Sequence, residues 1–334
     1  MTVLVTGGAG FIGSHVVRLL TARGDEVVIV DDLVTGLRAR VPNVPLIHMD
    51  LADTDAPQVL EVVMRDHRVT RVIHFAGRKQ VAESVARPAW YFQQNIASLA
   101  NLIMAMENAR VNQLVFSSSA AVYGASEGHA LAEIEPLSPI NPYGESKLIG
   151  EWLISNAVRS LGLRASSLRY FNVGGAGWPE LGDSAVLNLV PMVMERLNAG
   201  LAPVIFGDDY DTADGTCIRD YVHVLDLAEA HLATLDSLRL GDARHDIYNV
   251  GTGLGSSVRE MITEIIAISN VNVSPTILDR RVGDPAVVVA DVRKIAQAIG
   301  WSTRFNTSDI IESAWDSNRV LNLPTIRPEL VVPR

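Results

Sequence analysis

The chain begins with Met1-Thr-Val-Leu-Val-Thr-Gly-Gly-Ala-Gly-Phe-Ile-Gly-Ser-His15. The apolar run from Val3 to Val5 is typical of a buried parallel strand, and apolar residues at helical spacing begin again at Val16. A turn that is rich in glycine separates the two. Strand, glycine turn and helix in this order form a cradle in which the helix start can bind a phosphate group. The stretch therefore predicts a nucleotide-binding strand–helix unit at the beginning of the chain.

Three glycines have separate tasks in such a unit. Gly7 permits the tight turn, Gly10 lets a pyrophosphate approach the backbone, and Gly13 lets the helix pack closely on the strand. The predicted phosphate cradle consists of these glycines and the two residues between the last two of them: Gly7, Gly10, Phe11, Ile12 and Gly13.

A second apolar run, Val27 to Val30, ends at Asp31, which lies 18 positions after Gly13. An acidic residue at that strand end is placed to bind the ribose of an adenosine. No Arg or Lys follows Asp31 until Arg38, so no nearby cation would receive a 2′-phosphate. The pattern predicts NAD and disfavours NADP. The alternative is a glycine-rich turn that binds nothing, and the second strand with its acid makes that alternative weak.

The composition limits the kind of protein. A length of 334 residues allows a full core and two lobes. Its 28 Lys and Arg against 38 Asp and Glu give a net charge of -10, which repels nucleic acid and anionic membranes. The single cysteine, Cys217, excludes a disulfide framework and is interpreted as a packing residue. We expect a cytoplasmic protein, because the first strand leaves no room for a signal peptide and no apolar run approaches the roughly 18 residues of a membrane span.

Strand-like runs alternate with helical segments along the first half of the chain. This alternation predicts an α/β fold with a doubly wound parallel sheet that is covered on both faces. The strands predicted after Asp31 are Pro45–Asp50, Val72–Gly77, Leu114–Ser119 and Ser166–Asn172. The residues at two of these strand ends are further candidates for the cofactor groove, although ordinary strand ends also explain them: Asp50, Leu51, Phe75, Ala76 and Gly77.

The alternation of strands and helices stops at Val173, where a loop-rich region with several glycines begins. A predicted strand followed by a helix appears again at Asp220. We expect residues 1–172 and about 216–250 to form the cofactor-binding domain. Residues of about 173–215 and 251–334 are expected to form a smaller, discontinuous substrate-binding lobe. The residues after Pro324 are expected to be a loose tail.

A second strong pattern is Tyr143-Gly-Glu-Ser-Lys147, at the start of a predicted amphipathic helix. Residues four apart lie on one helical face, so the Lys147 ammonium can approach the Tyr143 phenol. An unperturbed tyrosine titrates near pH 10, and bringing it to neutrality takes on the order of 4 kcal/mol of phenolate stabilisation. Lys147 and a cationic nicotinamide ring are the available positive charges. Ser119 ends an earlier strand and can hydrogen-bond the same substrate oxygen, so the three are predicted to be catalytic: Ser119, Tyr143 and Lys147.

Together these motifs resemble those of the extended short-chain dehydrogenase/reductase family, which implies a Rossmann-type nucleotide fold. Further motifs resemble one branch of it, the UDP-glucose 4-epimerases. They are Phe75-Ala-Gly-Arg-Lys-Gln-Val-Ala-Glu-Ser84, Arg169-Tyr-Phe-Asn172, Asn188-Leu189, Phe206-Gly-Asp-Asp-Tyr210, Arg219-Asp-Tyr-Val-His223 and Arg281-Val-Gly-Asp284. The resemblance covers nearly the whole chain.

The resemblance implies roles for individual residues. Tyr143 would be the acid and base, and Lys147 would bind the nicotinamide ribose and tune Tyr143. The additional cofactor residues that it implies are Lys79, which would reach the NAD phosphates, Asn95, Ser117 and Tyr170. The substrate residues that it implies are Lys79, Ser119, Tyr143, Asn172, Asn188, Leu189, Val204, Phe206, Arg219, Arg281, Asp284 and Val288. Arg219 could alternatively form an ion pair with Asp220. Arg281 could alternatively be an exposed charge on a loop.

The implied reaction is inversion of C4 in a UDP-hexose, between UDP-galactose and UDP-glucose, through a transient 4-keto sugar with NAD bound throughout. A nucleotide-sugar 4,6-dehydratase is a weaker hypothesis, because such enzymes carry Asp-Glu where this chain has Ala120-Ala121. A non-catalytic NAD-binding protein is also weaker, because the Tyr143 and Lys147 pair is present. By resemblance we expect a homodimer, paired through helices at residues 97–109 and 143–159.

Two smaller expectations complete the sequence analysis. The histidines lack the spacing of a metal site, so no metal is predicted, and His223 and His231 are interpreted as structural. Val288 corresponds to a family position that borders C2 of the sugar. A small residue there implies room for an N-acetyl group, unless neighbouring side chains fill the space. The sequence therefore also raises the hypothesis that the N-acetylated pair of UDP-sugars is a substrate.

Overall fold

The structure, a computed structural model, describes residues 1–124, 128–239, 241–281 and 283–321. The tail predicted after Pro324 lies outside these residues. The strands in chain order are β1 Thr2–Thr6, β2 Glu26–Asp31, β3 Leu46–His48, β4 Val69–His74, β5 Gln113–Ser119, β6 Arg164–Tyr170, β7 Asn172–Gly174, β8 Val204–Phe206, β9 Ile218–His223, β10 Arg244–Val250, β11 Gly255–Ser257, β12 Thr276–Leu278 and β13 Val287–Val288.

The helices lie between these strands and cover them. In chain order they are α1 Phe11–Ala22, α2 Ala56–Asp66, α3 Val81–Ala86, α4 Pro88–Phe92, α5 Ser98–Ala109, α6 Pro142–Leu161, α7 Leu189–Asn198, α8 Val224–Ser237, α9 Val258–Ser269, α10 Arg293–Ile299 and α11 Thr307–Leu321. A short π-helix, Gln93–Ala97, joins α4 to α5.

The central sheet has seven parallel strands in the order β10-β6-β5-β4-β1-β2-β3. Side chains alternate along β1, where Val3 and Val5 enter one hydrophobic core and Leu4 enters the other. The first core contains residues of α1 and α8, and the second contains residues of α2, α5 and α6. Both faces of the sheet are therefore buried, as a parallel sheet requires. The predicted α/β fold with a doubly wound parallel sheet is confirmed.

A smaller sheet stands beside the central one. Its central strand is β9, which pairs with β11, β13 and β7, while β8 and β12 form a separate pair. Helices α7, α9 and α11 contribute to a third hydrophobic core that also includes Ile205 of β8 and Tyr221 of β9. The strand that the sequence indicated at Asp220 thus belongs to the smaller sheet. The elements that follow it belong to the larger unit, because β10 is a strand of the central sheet and α8 packs against that sheet. The proposed division of the chain into two lobes stays a prediction.

Several predicted boundaries are shifted. The strand predicted at Val72–Gly77 is β4, Val69–His74, so residues 75–77 form the loop after the strand. The strand predicted at Ser166–Asn172 ends at Tyr170, and Asn172 begins the separate strand β7. The first shift arose because Phe75 and Ala76 continue the apolar run of the strand although they line the cofactor groove. In the described part of the chain, no helix is long and apolar enough to cross a membrane.

Candidate active site and cofactor groove

The glycine turn has the geometry that the sequence predicted. Gly7 has a φ of +71°, and a Cβ there would lie 2.6 Å from the backbone nitrogen of Ala76. A Cβ on Gly13 would lie 2.3 Å from the carbonyl oxygen of Gly7, so only glycine lets α1 approach the turn. Within the described residues, α1 starts with neither a side-chain cap nor an acidic residue in its first turn. Its N-terminal N–H groups and dipole suit the pyrophosphate of a dinucleotide.

Asp31 ends β2 with its carboxylate held towards this turn. The backbone nitrogens of Ala9 and Leu33 each donate a hydrogen bond to it, at 2.9 Å in both cases. Its residue is 6% exposed, and burial raises the pKa of the carboxyl group. Two N–H donors leave lone pairs on both oxygens, which can accept hydrogen bonds from ribose hydroxyls.

One groove brings the predicted cofactor residues together. The predicted residues that line it are Gly7, Gly10, Phe11, Ile12, Gly13, Asp31, Asp50, Leu51, Phe75, Ala76, Gly77, Lys79, Ser117, Tyr143, Lys147 and Tyr170. Asn95 is buried beside the groove and hydrogen-bonds the backbone of Arg78, from which its side-chain oxygen accepts at 2.7 Å.

Several lining residues were not predicted from the sequence. They are Val30, Asp32, Thr35, Gly36, Met49, Arg78, Gln94 and Ser98. Most of them adjoin residues that were predicted, since Asp32 follows Asp31 and Arg78 precedes Lys79. Those residues could therefore have been found by including the sequence neighbours of the predicted site residues.

Helix α6 places Tyr143 and Lys147 at the groove. Pro142 occupies its first turn, and the Asn141 side chain caps it by accepting from the backbone nitrogen of Gly144 at 2.9 Å. Lys147 lies one turn later, and its Nζ is 5.9 Å from the centroid of the Tyr143 ring. The same nitrogen donates to the carbonyl oxygen of Ser117 on β5, at 2.8 Å.

Lys147 is buried and Tyr143 is partly buried, and loss of solvent shifts both groups towards their neutral forms. Burial raises the pKa of Tyr143, and a side-chain hydrogen bond with Ser119 partly opposes the shift. Burial lowers the pKa of Lys147 to about 8. A Tyr143 phenolate is therefore costly in the protein alone. A positive charge supplied with the cofactor would lower that cost.

Tyr170 lines the groove and is held from behind by a histidine. His231 Nδ1 contacts the carbonyl oxygen of Leu227 at 2.8 Å, so that nitrogen carries the proton and Nε2 accepts from the Tyr170 hydroxyl. The His231 ring also lies 4.7 Å from that of Phe75, another lining residue. Burial lowers the pKa of His231 to about 4, which keeps the ring neutral near pH 7.

Three of the predicted substrate residues lie on the smaller sheet: Asn172, Arg219 and Val288. Asn172 of β7 pairs in register with Tyr221 of β9, and Val288 of β13 pairs with Arg219 of β9. Arg219 Nη2 is 3.9 Å from Oδ1 of Asp284, so this Arg contacts a second predicted residue. Asp220, the alternative partner proposed for Arg219, instead accepts hydrogen bonds from Thr252, Gly253 and Ala290.

The remaining substrate candidates form two further groups. The Arg281 guanidinium lies 3.9 Å from the centroid of Phe206, in β8 with Val204. Asn188 precedes α7 and donates to Asp183 at 3.3 Å, and Leu189 packs against the core that contains Tyr221. Lys79 is exposed and lines the cofactor groove, as Tyr143 does.

Cys217 and His223, which the sequence analysis interpreted as structural, lie among packing and hydrogen-bonding partners. Cys217 is buried, and His223 accepts from the backbone nitrogen of Leu225 and contacts Ser313. Among the described residues, no group of three or more His, Cys, Asp or Glu could hold a metal ion.

Comparison with known proteins identifies the family. Residues 3–251 match the model of the NAD dependent epimerase/dehydratase family. A UDP-glucose 4-epimerase from Azospirillum brasilense is 44% identical, over 96% of this chain and 92% of the relative. The crystal structure of a UDP-glucose-4-epimerase from Stenotrophomonas maltophila with bound NAD and formylated UDP-arabinopyranose superposes with a TM-score of 0.91 and 38% identity, covering 96% of this chain and 98% of that one.

A third similar protein is named for activity on two sugars. The UDP-Glc/GlcNAc 4-epimerase from Campylobacter jejuni has a TM-score of 0.83 and 34% identity, covering 96% of this chain and 99% of that one. The matches extend over nearly the full length of all these proteins. With its glycine turn, Asp31 and the Tyr143–Lys147 pair around one groove, the chain belongs to the NAD dependent epimerase/dehydratase family.

Proposed function

We propose that the protein inverts C4 of a UDP-hexose, interconverting UDP-galactose and UDP-glucose with NAD as a bound cofactor. The observation that carries this proposal is that Tyr143 and Lys147 line the same groove as the glycine turn and Asp31. If the phosphates of a dinucleotide lie at the glycine turn, its nicotinamide end can extend along the groove towards Tyr143. Hydride transfer and proton transfer at one sugar carbon can then occur together.

In the proposed reaction, Tyr143 accepts the proton of the C4 hydroxyl and later returns it. Bound NAD, held at the glycine turn and Asp31, would supply the acceptor for the C4 hydride and the source from which it returns. Ser119 binds the same sugar oxygen, and Lys147 provides positive charge beside the phenolate. The 4-keto sugar must present its other face before the hydride returns, so the hexose has to turn while the nucleotide stays in place.

This requirement explains where binding energy should be concentrated. Interactions with the UDP keep the substrate bound during the turn, whereas strong contacts with the hexose would oppose it. Arg219 and Arg281 are the proposed ligands of the diphosphate, because guanidinium groups bind phosphate oxygens in pairs. In a protein with a net charge of -10 such a ligand needs local cations. Asn172, Asn188, Leu189, Val204 and Phe206 are proposed to surround the uridine and the sugar.

The reaction restores the cofactor in every cycle, so NAD has no chemical reason to leave. A 4,6-dehydratase would need an additional acid and base next to Ser119. The residues that follow Ser119 are Ala120 and Ala121, in a short 3-10 helix. Their methyl groups cannot transfer protons, which favours epimerisation over elimination.

The N-acetylated pair, UDP-N-acetylglucosamine and UDP-N-acetylgalactosamine, is a further proposed substrate. Val288 is half-buried and packs against a cluster that includes Tyr123, Leu131 and Phe171. A valine there occupies much less volume than an aromatic ring. The relative from Campylobacter jejuni, which is described as a UDP-Glc/GlcNAc 4-epimerase, supports the idea that this fold accepts both sugars.

We also propose that the protein is a homodimer that pairs through α5 and α6. These neighbouring helices expose two large apolar side chains, Met104 at 52% and Trp152 at 58%. A dimer that pairs through α5 and α6 would bury both side chains. Sedimentation velocity tests this: we expect a dimer that Trp152→Lys converts to monomer, and a monomeric wild-type protein would contradict the proposal.

The experiment that tests the proposed activity uses protein as purified, without added cofactor. Incubation with UDP-galactose should produce UDP-glucose, and acid denaturation of the same preparation should release NAD. Epimerisation that consumes a stoichiometric amount of added NADH would contradict the proposal. A mixture of protein and UDP-galactose that stays unchanged in the presence of saturating NAD would contradict it as well.

A further inference from the structure

Arg78 lines the cofactor groove and connects three segments that are distant in sequence. Its Nη2 lies 2.7 Å from Oδ2 of Asp32, which directly follows Asp31 at the end of β2. Its Nε and Nη2 donate to Oε1 of Gln94, at 3.0 and 2.7 Å. Gln94 in turn donates to Asp50 after β3, at 3.3 Å, and Asp50 is 3.9 Å from Arg78 itself. We call these four residues, Arg78, Asp32, Gln94 and Asp50, the Arg78 bridge.

All four residues line the groove, so the bridge is part of its wall and not of a distant surface. The Arg78 side chain is 16% exposed and that of Asp32 is 26% exposed. A partly buried ion pair that is reinforced by hydrogen bonds from the same guanidinium is stronger than an exposed pair. The bridge can therefore resist opening.

The backbone of Arg78 is also fixed. Asn95 accepts from its nitrogen and donates to its carbonyl oxygen, at 2.7 and 3.1 Å. Asn95 donates as well to Ser146 on α6, at 3.0 Å, and the Ser146 hydroxyl donates to the carbonyl oxygen of Tyr143. Arg78 thus projects from a backbone that is tied to the helix of the active site, and only its side chain is available to move.

The Arg78 bridge lies where the adenosine part of the cofactor is expected to bind. Asp31, whose carboxylate has lone pairs free to accept from a ribose, is the neighbour of Asp32, and Asp50 lines the groove beside them. A planar guanidinium in this place can stack on a purine while it keeps its carboxylate partner. We propose that the Arg78 bridge closes the adenosine end of the groove over bound NAD and slows the release of the cofactor.

The charges in the bridge also bear on the choice of dinucleotide. The guanidinium of Arg78 is already paired with the Asp32 carboxylate. A 2′-phosphate would bring another negative charge next to Asp31 and Asp32. The bridge therefore favours binding of NAD over NADP, and we expect NAD to be the dinucleotide recovered after acid denaturation.

The proposal is tested by the rate at which NAD dissociates. Protein loaded with radiolabelled NAD is mixed with a large excess of unlabelled NAD, and retained label is measured after rapid gel filtration. Arg78→Met keeps an apolar stem but removes the guanidinium. We expect dissociation at least about tenfold faster, because hydrogen bonds to a charged group are lost.

Two further variants make the result specific. Asp32→Asn retains a hydrogen-bonding side chain but removes the ion pair, and we expect a smaller acceleration that does not add to that of Arg78→Met. Arg87→Met is the matched control. Arg87 stacks on Trp90 at 3.9 Å, as Arg78 does more distantly at 5.5 Å, but is 54% exposed and pairs with Glu83. It should leave NAD dissociation unchanged.

Equal dissociation rates in wild type, Arg78→Met and Asp32→Asn would overturn the proposal, as would an equal effect of Arg87→Met. If Arg78→Met fails to fold, the rate in Asp32→Asn decides. The inference rests on the proposed binding of NAD but not on the identity of the sugar. Protein that cannot be loaded with NAD would contradict the proposed function, whereas NAD that leaves all variants at one rate contradicts only the bridge.

Discussion

Lys147 donates from Nζ to the carbonyl oxygen of Ser117 at 2.8 Å, which fixes its ammonium against the end of β5. Ser119, two residues further along the chain, shares a hydrogen bond with Tyr143. The three proposed catalytic residues therefore come from two elements, β5 and the first turns of α6, that are packed against each other. Motions that separate them would have to break the packing of the central sheet.

Replacement of Tyr143 by Phe tests the proposed acid and base. Tyr143→Phe removes only the phenolic oxygen, and loss of general acid–base transfer typically lowers the rate about 10²–10⁴-fold. We expect a fall in kcat of this size with UDP-sugar affinity close to that of wild type, measured by calorimetry. An equal loss in affinity and turnover would mean that Tyr143 has a structural role.

Replacement of Lys147 by Met tests the source of positive charge. Burial lowers the pKa of the Lys147 ammonium to about 8, so the group is charged at neutral pH and neutral well above pH 8. Without it, the Tyr143 phenolate loses a neighbouring cation and should form only at higher pH. We expect Lys147→Met to bind NAD more weakly and to show a higher pH optimum, measured from kcat between pH 6 and 10. An unchanged optimum would refute this role.

Replacement of Val288 by Tyr tests the proposed sugar specificity. The ring should fill the space next to the C2 substituent, so that Val288→Tyr loses activity on UDP-N-acetylglucosamine and keeps activity on UDP-galactose. Initial rates on both substrates at saturation provide the measurement. Wild-type protein that does not convert the N-acetylated sugars would contradict the pocket argument without affecting the proposed C4 chemistry.

Buried histidines predict that the protein loses stability in mild acid. Burial lowers the pKa values of five of them to about 3 or 4: His15, His74, His223, His231 and His245. Since an unfolded histidine titrates near 6.5, the unfolded chain takes up protons first as the pH falls. Each histidine then removes up to about 1.4 kcal/mol of the free energy of unfolding per pH unit below 6.5.

Urea unfolding at pH 7.5 and 5.5 measures this loss. We expect a clearly lower midpoint at pH 5.5, and a smaller difference in His245→Gln, since His245 contacts Ser155 and Ser167 and lies outside the cofactor groove. Equal midpoints at the two pH values would show that these histidines do not govern acid stability.

The motifs at the groove could be predicted from sequence because they are local. Gly7, Asp31 and the Tyr143–Lys147 pair each depend on the geometry of one turn, one strand end or one helix. The smaller sheet could not be predicted in the same way, since β9 pairs with short strands at residues 172–174, 255–257 and 287–288. These strands owe their conformation to that pairing and carry little periodicity of their own.

The Arg78 bridge shows the same limit. Arg78 is visible in the motif around Lys79, but its partners follow β2 and β3 or lie in the π-helix, so only the folded chain brings them together. The boundary of β4 was missed for a different reason. Phe75 and Ala76 continue the apolar pattern of the strand, but they turn away to form the wall of the groove.

The central claim is that one hydride leaves C4 and returns to it within a single redox-neutral cycle. The most direct measurement uses UDP-galactose with deuterium at C4, incubated with protein as purified in ordinary water. The account predicts UDP-glucose that retains deuterium at C4, detected by NMR and mass spectrometry. Loss of the label to solvent, or accumulation of a 4-keto-6-deoxy sugar, would contradict it.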